Sequence, residues 1–190
     1  MCKFQKNSWL CEIKTHGTIL ACFVGTMWCV ACVDFFIGGQ LRQYGIVPRT
    51  QLGLRGVFFA PFLHANFAHL IANTLPLISL GWFVMLRRTG DFYWVTVMAM
   101  LIGGLGTWLI GASHSVHIGA SGVVFGYLGF LISRGYFERS LLSVLASGVI
   151  AFVYGGLLWG VLPGQNGISW EGHLFGSIGG MLAARKLAKK

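Results

Sequence analysis

Six apolar runs, separated by short clusters of charge or by short uncharged loops, leave this chain few ways to fold in water. They cover about residues 17–38, 68–86, 92–111, 120–133, 141–162 and 168–187. A helix needs roughly 20 such residues to cross a bilayer. Within the hydrocarbon only a helix or a closed barrel satisfies its own backbone. The expectation is an all-α, polytopic membrane bundle of six transmembrane helices. No linker or low-complexity stretch divides it, so residues 1–190 read as one domain. Charged residues make up only 10% of the chain, against about 25% in ordinary soluble domains. The first run is long and lacks a small-x-small exit, so it reads as a retained helix rather than a cleaved leader.

The charge pattern sets an orientation. Lys3, Lys6 and Lys14 precede the first run, and Arg87 and Arg88 follow the second. Arg134 and Arg139 follow the fourth, and Arg185, Lys186, Lys189 and Lys190 close the sixth. If the runs alternate across the bilayer, all of these face one side and only Arg42, Arg49 and Arg55 face the other. This is a positive-inside bias. It makes both termini cytoplasmic, with a basic N-terminal segment over about residues 1–16. The formal net charge of +9 is then a topology signal, and a nucleic-acid partner is not expected. The segment 39–67 is too apolar for a free loop and too interrupted for a span. It reads as an outer loop lying in the membrane interface.

Glycine is abundant, at 28 of 190 residues. Between membrane helices small residues allow close backbone approach, so a compact bundle follows. The five cysteines, Cys2, Cys11, Cys22, Cys29 and Cys32, read as small apolar packing residues. They suggest neither a disulfide framework nor a metal site, and no cofactor is expected.

Polar side chains within a bilayer are costly and need a reason. His64, Asn66, His69 and Asn73 open the second run, Gly119-Ala120-Ser121-Gly122 opens the fourth, and Glu171-Gly172-His173 opens the sixth. All three runs enter from the outer face. At about 1.5 Å rise per residue, His69, Asn73, Ser121 and His173 fall in one layer, roughly 5–10 Å below it. A serine, a histidine base and hydrogen-bond donors are the parts of acyl-transfer chemistry. Glu171, two residues from His173, points to another side of its helix, so a dyad is expected rather than a triad. His16, His114 and His117 read as loop or interface residues, and Asp34 and Glu171 as hydrated ones.

These residues resemble the rhomboid family of intramembrane serine proteases. The likeness covers about residues 42–187. It rests on His64-x4-His69-x3-Asn73, on Gly119-Ala120-Ser121-Gly122, and on Gly172-His173-Leu174-Phe175-Gly176-x3-Gly180. The resemblance implies Ser121 as nucleophile and His173 as general base. It implies an oxyanion site of His69, Asn73 and the Ser121 amide, with His64 in support. Gly122, Gly126, Gly176 and Gly180 would bring the fourth and sixth helices together. Many members carry a tyrosine one turn after the serine; here Phe125 keeps the ring. Their outer-loop Trp-Arg pair is replaced by Leu54-Arg55. The implied partners are transmembrane protein substrates and the lipid bilayer, and the implied location is a bacterial plasma membrane. No oligomeric state follows. Two other classes stay open: a catalytically silent relative that holds membrane clients, and a small transporter relaying protons through histidines.

Overall fold

The computed structural model describes residues 8–164 and 167–188. Cys2, Lys3, Lys6, Lys189, Lys190 and positions 165 and 166 lie outside the described residues. The α-helices are α1 (Ser8–Phe36), α2 (Gly56–Phe59), α3 (Phe67–Met85), α4 (Thr89–Ile110), α5 (Ser121–Glu138), α6 (Leu141–Tyr154) and α7 (Trp170–Leu187). A 3-10 segment, Gly155–Val161, continues α6. Among the described residues there is no strand, and Ile46 and His117 form an isolated antiparallel bridge.

Every apolar run is helical. Four of these helices are long and apolar enough to cross a membrane: Trp9–Phe36, Phe67–Met85, Thr89–Ile110 and Leu141–Val161. Helices α5 and α7 have 18 residues each but carry Arg134 and Glu138, and Glu171, His173, Arg185 and Lys186, which dilute their apolar character. The helix ends differ from the hydropathy runs for a local reason. Hydropathy marks the apolar stretch, whereas the hydrogen-bond ladder continues into charged residues. Thus α5 runs to Glu138, whose carboxylate takes Arg134 at 2.8 Å one turn back, and α1 begins at Ser8 rather than near residue 17. Asn66 caps α3 by accepting the His69 amide at 2.8 Å, and Ser140 caps α6 by accepting the Ser143 amide at 3.1 Å.

Leu70, Leu77 and Leu80 of α3, Val95 of α4 and Tyr127, Leu128 and Phe130 of α5 form the buried centre. There Tyr127 Oη bonds Thr96 Oγ1 at 2.7 Å. Helix α6 is the peripheral one: Leu141, Leu142 and Phe152 point outward, Phe152 at 91% exposure. Helix α7 lies in a groove between α4 and α5 and fits there because the groove is made of glycine. A Cβ at Gly180 would overlap the Gly126 carbonyl oxygen, and one at Gly176 would overlap the Gly122 carbonyl oxygen. From the α4 side, a Cβ at Gly103 would lie 3.3 Å from the Gly176 Cα.

The segment between α1 and α3 is folded rather than loose. It consists of three short 3-10 turns and α2 and is tied to α4. The Arg49 amide donates to the Trp108 carbonyl (3.0 Å), and its guanidinium to the Leu109 carbonyl (2.9 Å). Trp108 Nε1 returns a bond to the Thr50 carbonyl (2.8 Å). Leu52, Phe58 and Phe59 remain exposed. At the place of the family's Trp-Arg pair, Arg55 lies 4.3 Å over the Tyr44 ring.

Four expectations need correction. Asp34 is buried, not hydrated: it pairs with Arg42 at 2.9 Å and accepts the Leu41 amide at 2.7 Å, fastening the segment to the end of α1. Glu171 is buried as well, and so is His16, which bonds Thr89 Oγ1 at 3.0 Å. Cys11 is in a disulfide, whereas Cys22, Cys29 and Cys32 are free thiols on the outward side of α1.

The helix contact gives a paired test. Gly180→Ala forces a methyl into a backbone carbonyl and should cost about 1–3 kcal/mol, as overpacking does. Gly148→Ala, where nothing lies within 4 Å, should be neutral or slightly stabilising. Thermal unfolding midpoints of both variants in detergent check the contrast.

Candidate active site

Ser121 is the first residue of α5. The chain reaches it through Gly119, whose φ of +120° is a conformation side-chain-bearing residues rarely adopt. The Gly119 amide is held by the Ala60 carbonyl at 2.8 Å. This turn leaves the Ser121 amide among the first-turn donors that a helix cannot satisfy itself.

The missing Cβ at Gly119 has a second consequence. A carbon there would stand 2.6 Å from His69 Cε1 and 2.8 Å from its Nε2, with Asn73 Nδ2 at 3.7 Å. The α3 side chains His69 and Asn73 therefore close directly on the backbone two residues before Ser121. Asn73 Nδ2 donates to the His69 carbonyl at 3.0 Å, which uses one of its two N–H groups. The His64 ring sits 5.2 Å from the His69 ring, edge-on and buried. It lines a separate cavity of about 280 Å³ with Asp34 and Arg42.

His173 occupies the first turn of α7. Its ring stacks on Phe125, with centroids 4.0 Å apart and planes 8° from parallel. Phe125 lies one turn after Ser121. The backbones run equally close: a Cβ at Gly122 would lie 3.3 Å from the Gly172 carbonyl oxygen. The first turns of α5 and α7 are thus side by side. Ser121 and His173 make no direct hydrogen bond among the described residues. His173 Nδ1 is 2.9 Å from the Gly160 carbonyl oxygen. A carbonyl only accepts, so Nδ1 carries the proton and the neutral ring presents a bare Nε2.

Two cavities meet at this end of the bundle. One of about 40 Å³ is lined by Ser121, Gly119, Gly122, Gly172, Thr107, His117 and Ser169, among others. A larger one, about 490 Å³, contains His69, Ser115, His117, Ser169 and Glu171. The small cavity has room for a water molecule and polar groups to hold it.

Sequence reasoning grouped His69, Asn73, Ser121 and His173 and placed the glycines. It missed Gly160, because a backbone acceptor leaves no trace in residue type. It also passed over His117, which is not a free loop residue. His117 bonds Ser169 through Nδ1 and Ser115 through Nε2, both at 2.7 Å. The available signal was its place, two residues before Gly119.

Residues 51–190 match the family model of the Rhomboid domain. The chain belongs to the rhomboid family. It is therefore an integral, multi-pass membrane protein of a family of serine-protease hydrolases that act on transmembrane substrates. It is 45% identical over 180 residues to the uncharacterized protein Rv1337 of Mycobacterium tuberculosis, covering 90% of this chain and 75% of that one. It is 32% identical over 127 residues to rhomboid protease GluP of Bacillus subtilis, covering 66% of this chain and 24% of that protein. RHOMBOID-like protein 4 of Arabidopsis thaliana is 29% identical over 130 residues, covering 64% of this chain and 31% of that protein.

The loop histidine gives a pH test. Burial lowers the His117 pKa from its ordinary 6.5, with Glu171 opposing. The folded state then favours the neutral ring, and the unfolded chain binds more protons below pH 6.5. The stability this contributes is present above that pH and is lost on acidification. The unfolding midpoint of the wild type should fall more steeply below pH 6.5 than that of His117→Asn, measured by thermal scans at a series of pH values.

Proposed function

We propose that the protein is an intramembrane serine endopeptidase that cuts transmembrane segments of other proteins with a Ser121–His173 dyad. The observation carrying this reading is the His173 ring. It is stacked on Phe125 of the serine's own helix and bonded through Nδ1 to Gly160, so Nε2 is left as a base beside the first turn of α5.

The chemistry follows from those atoms. His173 Nε2 takes the Ser121 hydroxyl proton as Oγ bonds the scissile carbonyl carbon. The carbonyl oxygen becomes an oxyanion. The Ser121 amide, the free N–H of Asn73 and the His69 ring are the donors grouped around it. The intermediate collapses, the C–N bond breaks, and His173 returns its proton to the leaving amine. Water then attacks the acyl ester, giving its proton to His173. Oγ leaves and recovers that proton as the acid product departs. The cavity of about 490 Å³ is a route for that water, and the 40 Å³ cavity beside Ser121 is a place for it. His64 supports His69 from behind.

In this reading residues 1–190 act as one domain. All six apolar helices span the membrane, with α5 and α7 shielded from lipid by their neighbours. Both termini are cytoplasmic, the site opens to the outer side of a bacterial plasma membrane, and the 39–67 segment lies at the outer interface. Substrates are transmembrane helices with small residues near the cut, because a regular helix keeps its carbonyls hydrogen-bonded and must unwind to present one.

A fluorophosphonate probe should label Ser121 in the purified protein, and the wild type should cleave a single-span substrate in liposomes. Ser121→Ala should abolish both, and His173→Ala should lower both by at least about 10³-fold, with unchanged unfolding midpoints. Asn73→Ala should lower kcat by about 10²-fold, as loss of an oxyanion donor does. Cleavage retained in Ser121→Ala overturns the assignment.

A further inference from the structure

His117 is the joint at which three parts of the site end meet. Its main chain pairs with Ile46, the amide donating to the Ile46 carbonyl and its carbonyl accepting the Ile46 amide, both at 2.9 Å. This joins the loop before Ser121 to the folded segment after α1. The Ser115 hydroxyl donates to the Ala112 carbonyl at 2.6 Å, so toward His117 its oxygen accepts. Nε2 of His117 therefore carries the proton, and Nδ1 of the neutral ring accepts from the Ser169 hydroxyl.

Ser169 is the residue before the first turn of α7. A serine there ordinarily turns its oxygen to a first-turn amide, but this one makes no side-chain cap bond, and its hydroxyl is bonded to His117 instead. Its carbonyl accepts the His173 amide at 3.2 Å. The hydroxyl also sits where a Cβ at Gly172 would meet it at 3.2 Å. The start of α7, which carries His173, is thus set from the serine loop through one imidazole. Both His117 and Ser169 line the small cavity that holds Ser121.

We infer that His117 is a positioning residue of the dyad: through Ser169 it sets the start of α7, and so the place of His173, relative to Ser121. The inference rests on the Ser121–His173 reading above. His117 does not touch the reacting atoms. Its effect falls on the turnover step, because substrate contacts are left in place. Misplacement of a catalytic group by about 1 Å costs on the order of 10²-fold in rate.

The two ring nitrogens can be separated by substitution. An asparagine oxygen reproduces the Nδ1 acceptor, and a glutamine nitrogen reproduces the Nε2 donor. In the full-length protein in liposomes, His117→Ala and Ser169→Ala should each lower kcat by about 10²-fold, with KM little changed. The double variant should lose no more than either single one, because both break one link. His117→Asn should restore most of the rate and His117→Gln should not, with all five variants folded by their unfolding midpoints. The ¹⁵N shifts of the His173 ring give a readout independent of turnover. They should move in His117→Ala and return in His117→Asn. Equal rates for the Asn and Gln variants, multiplied losses in the double variant, or a His173 signal indifferent to position 117 would each overturn the inference. A wild type that neither labels nor cleaves would refute the protease reading instead, and the ring shifts would still decide the role of His117.

Discussion

Backbone contact between α5 and α7 is the constraint on which everything else depends. Lipid gives helices no hydrophobic reason to associate, so packing must hold them. Gly122 and Gly126 meet Gly172, Gly176 and Gly180 with no side chain between them. A helix pair at this distance has its first turns in register, and the residues that open those turns are Ser121 and those leading to His173. The Phe125 ring fills the one place where the contact needs bulk, and in doing so becomes the surface on which His173 lies. Packing and site geometry are one arrangement.

The rest of the bundle holds that pair. Helix α4 closes the groove behind α7 through Gly103. Helix α3 brings His69 and Asn73 against the Gly119 turn. The far end is clamped by Glu138, which takes both Arg87 and Arg134 and so ties the α3–α4 turn to the end of α5. Helix α6 is the exception. It is largely exposed, yet the 3-10 segment continuing it supplies the acceptor for the His173 ring. The His173 ring is held by a main-chain oxygen rather than by a carboxylate, and no hydrogen bond joins it to Glu171 among the described residues.

Much of this was legible in the sequence, for reasons that can be named. The apolar runs marked the helices because burial in lipid needs length. Gly122, Gly126, Gly176 and Gly180 stood out because glycine inside a helix needs a packing reason, and Gly119 because it stands two residues before Ser121. Four other features were not legible. Asp34 looked hydrated because its partner Arg42 lies beyond the end of the helix, across a turn that hydropathy cannot fold. His117 looked like a loop residue because its partners, Ser115, Ser169 and Ile46, come from three different stretches of chain. The compactness of the 39–62 segment rests on bonds from Arg49 and Trp108 to main-chain carbonyls, which no residue pattern advertises. The helix ends overran the apolar runs because backbone hydrogen bonding is indifferent to polarity.

The Gly160 acceptor differs in kind from every other group at the site. A carboxylate orienter can be deleted by one substitution, and its loss read in an alanine scan. The carbonyl at position 160 belongs to the chain itself and survives any replacement of the residue; a side chain there would only add atoms against Phe125 and His173. A substitution at position 160 can therefore disturb this contact by crowding the His173 ring, but cannot remove the acceptor. The ring position of His173 depends on the route the backbone takes after α6, and a survey of side chains alone would record no partner there.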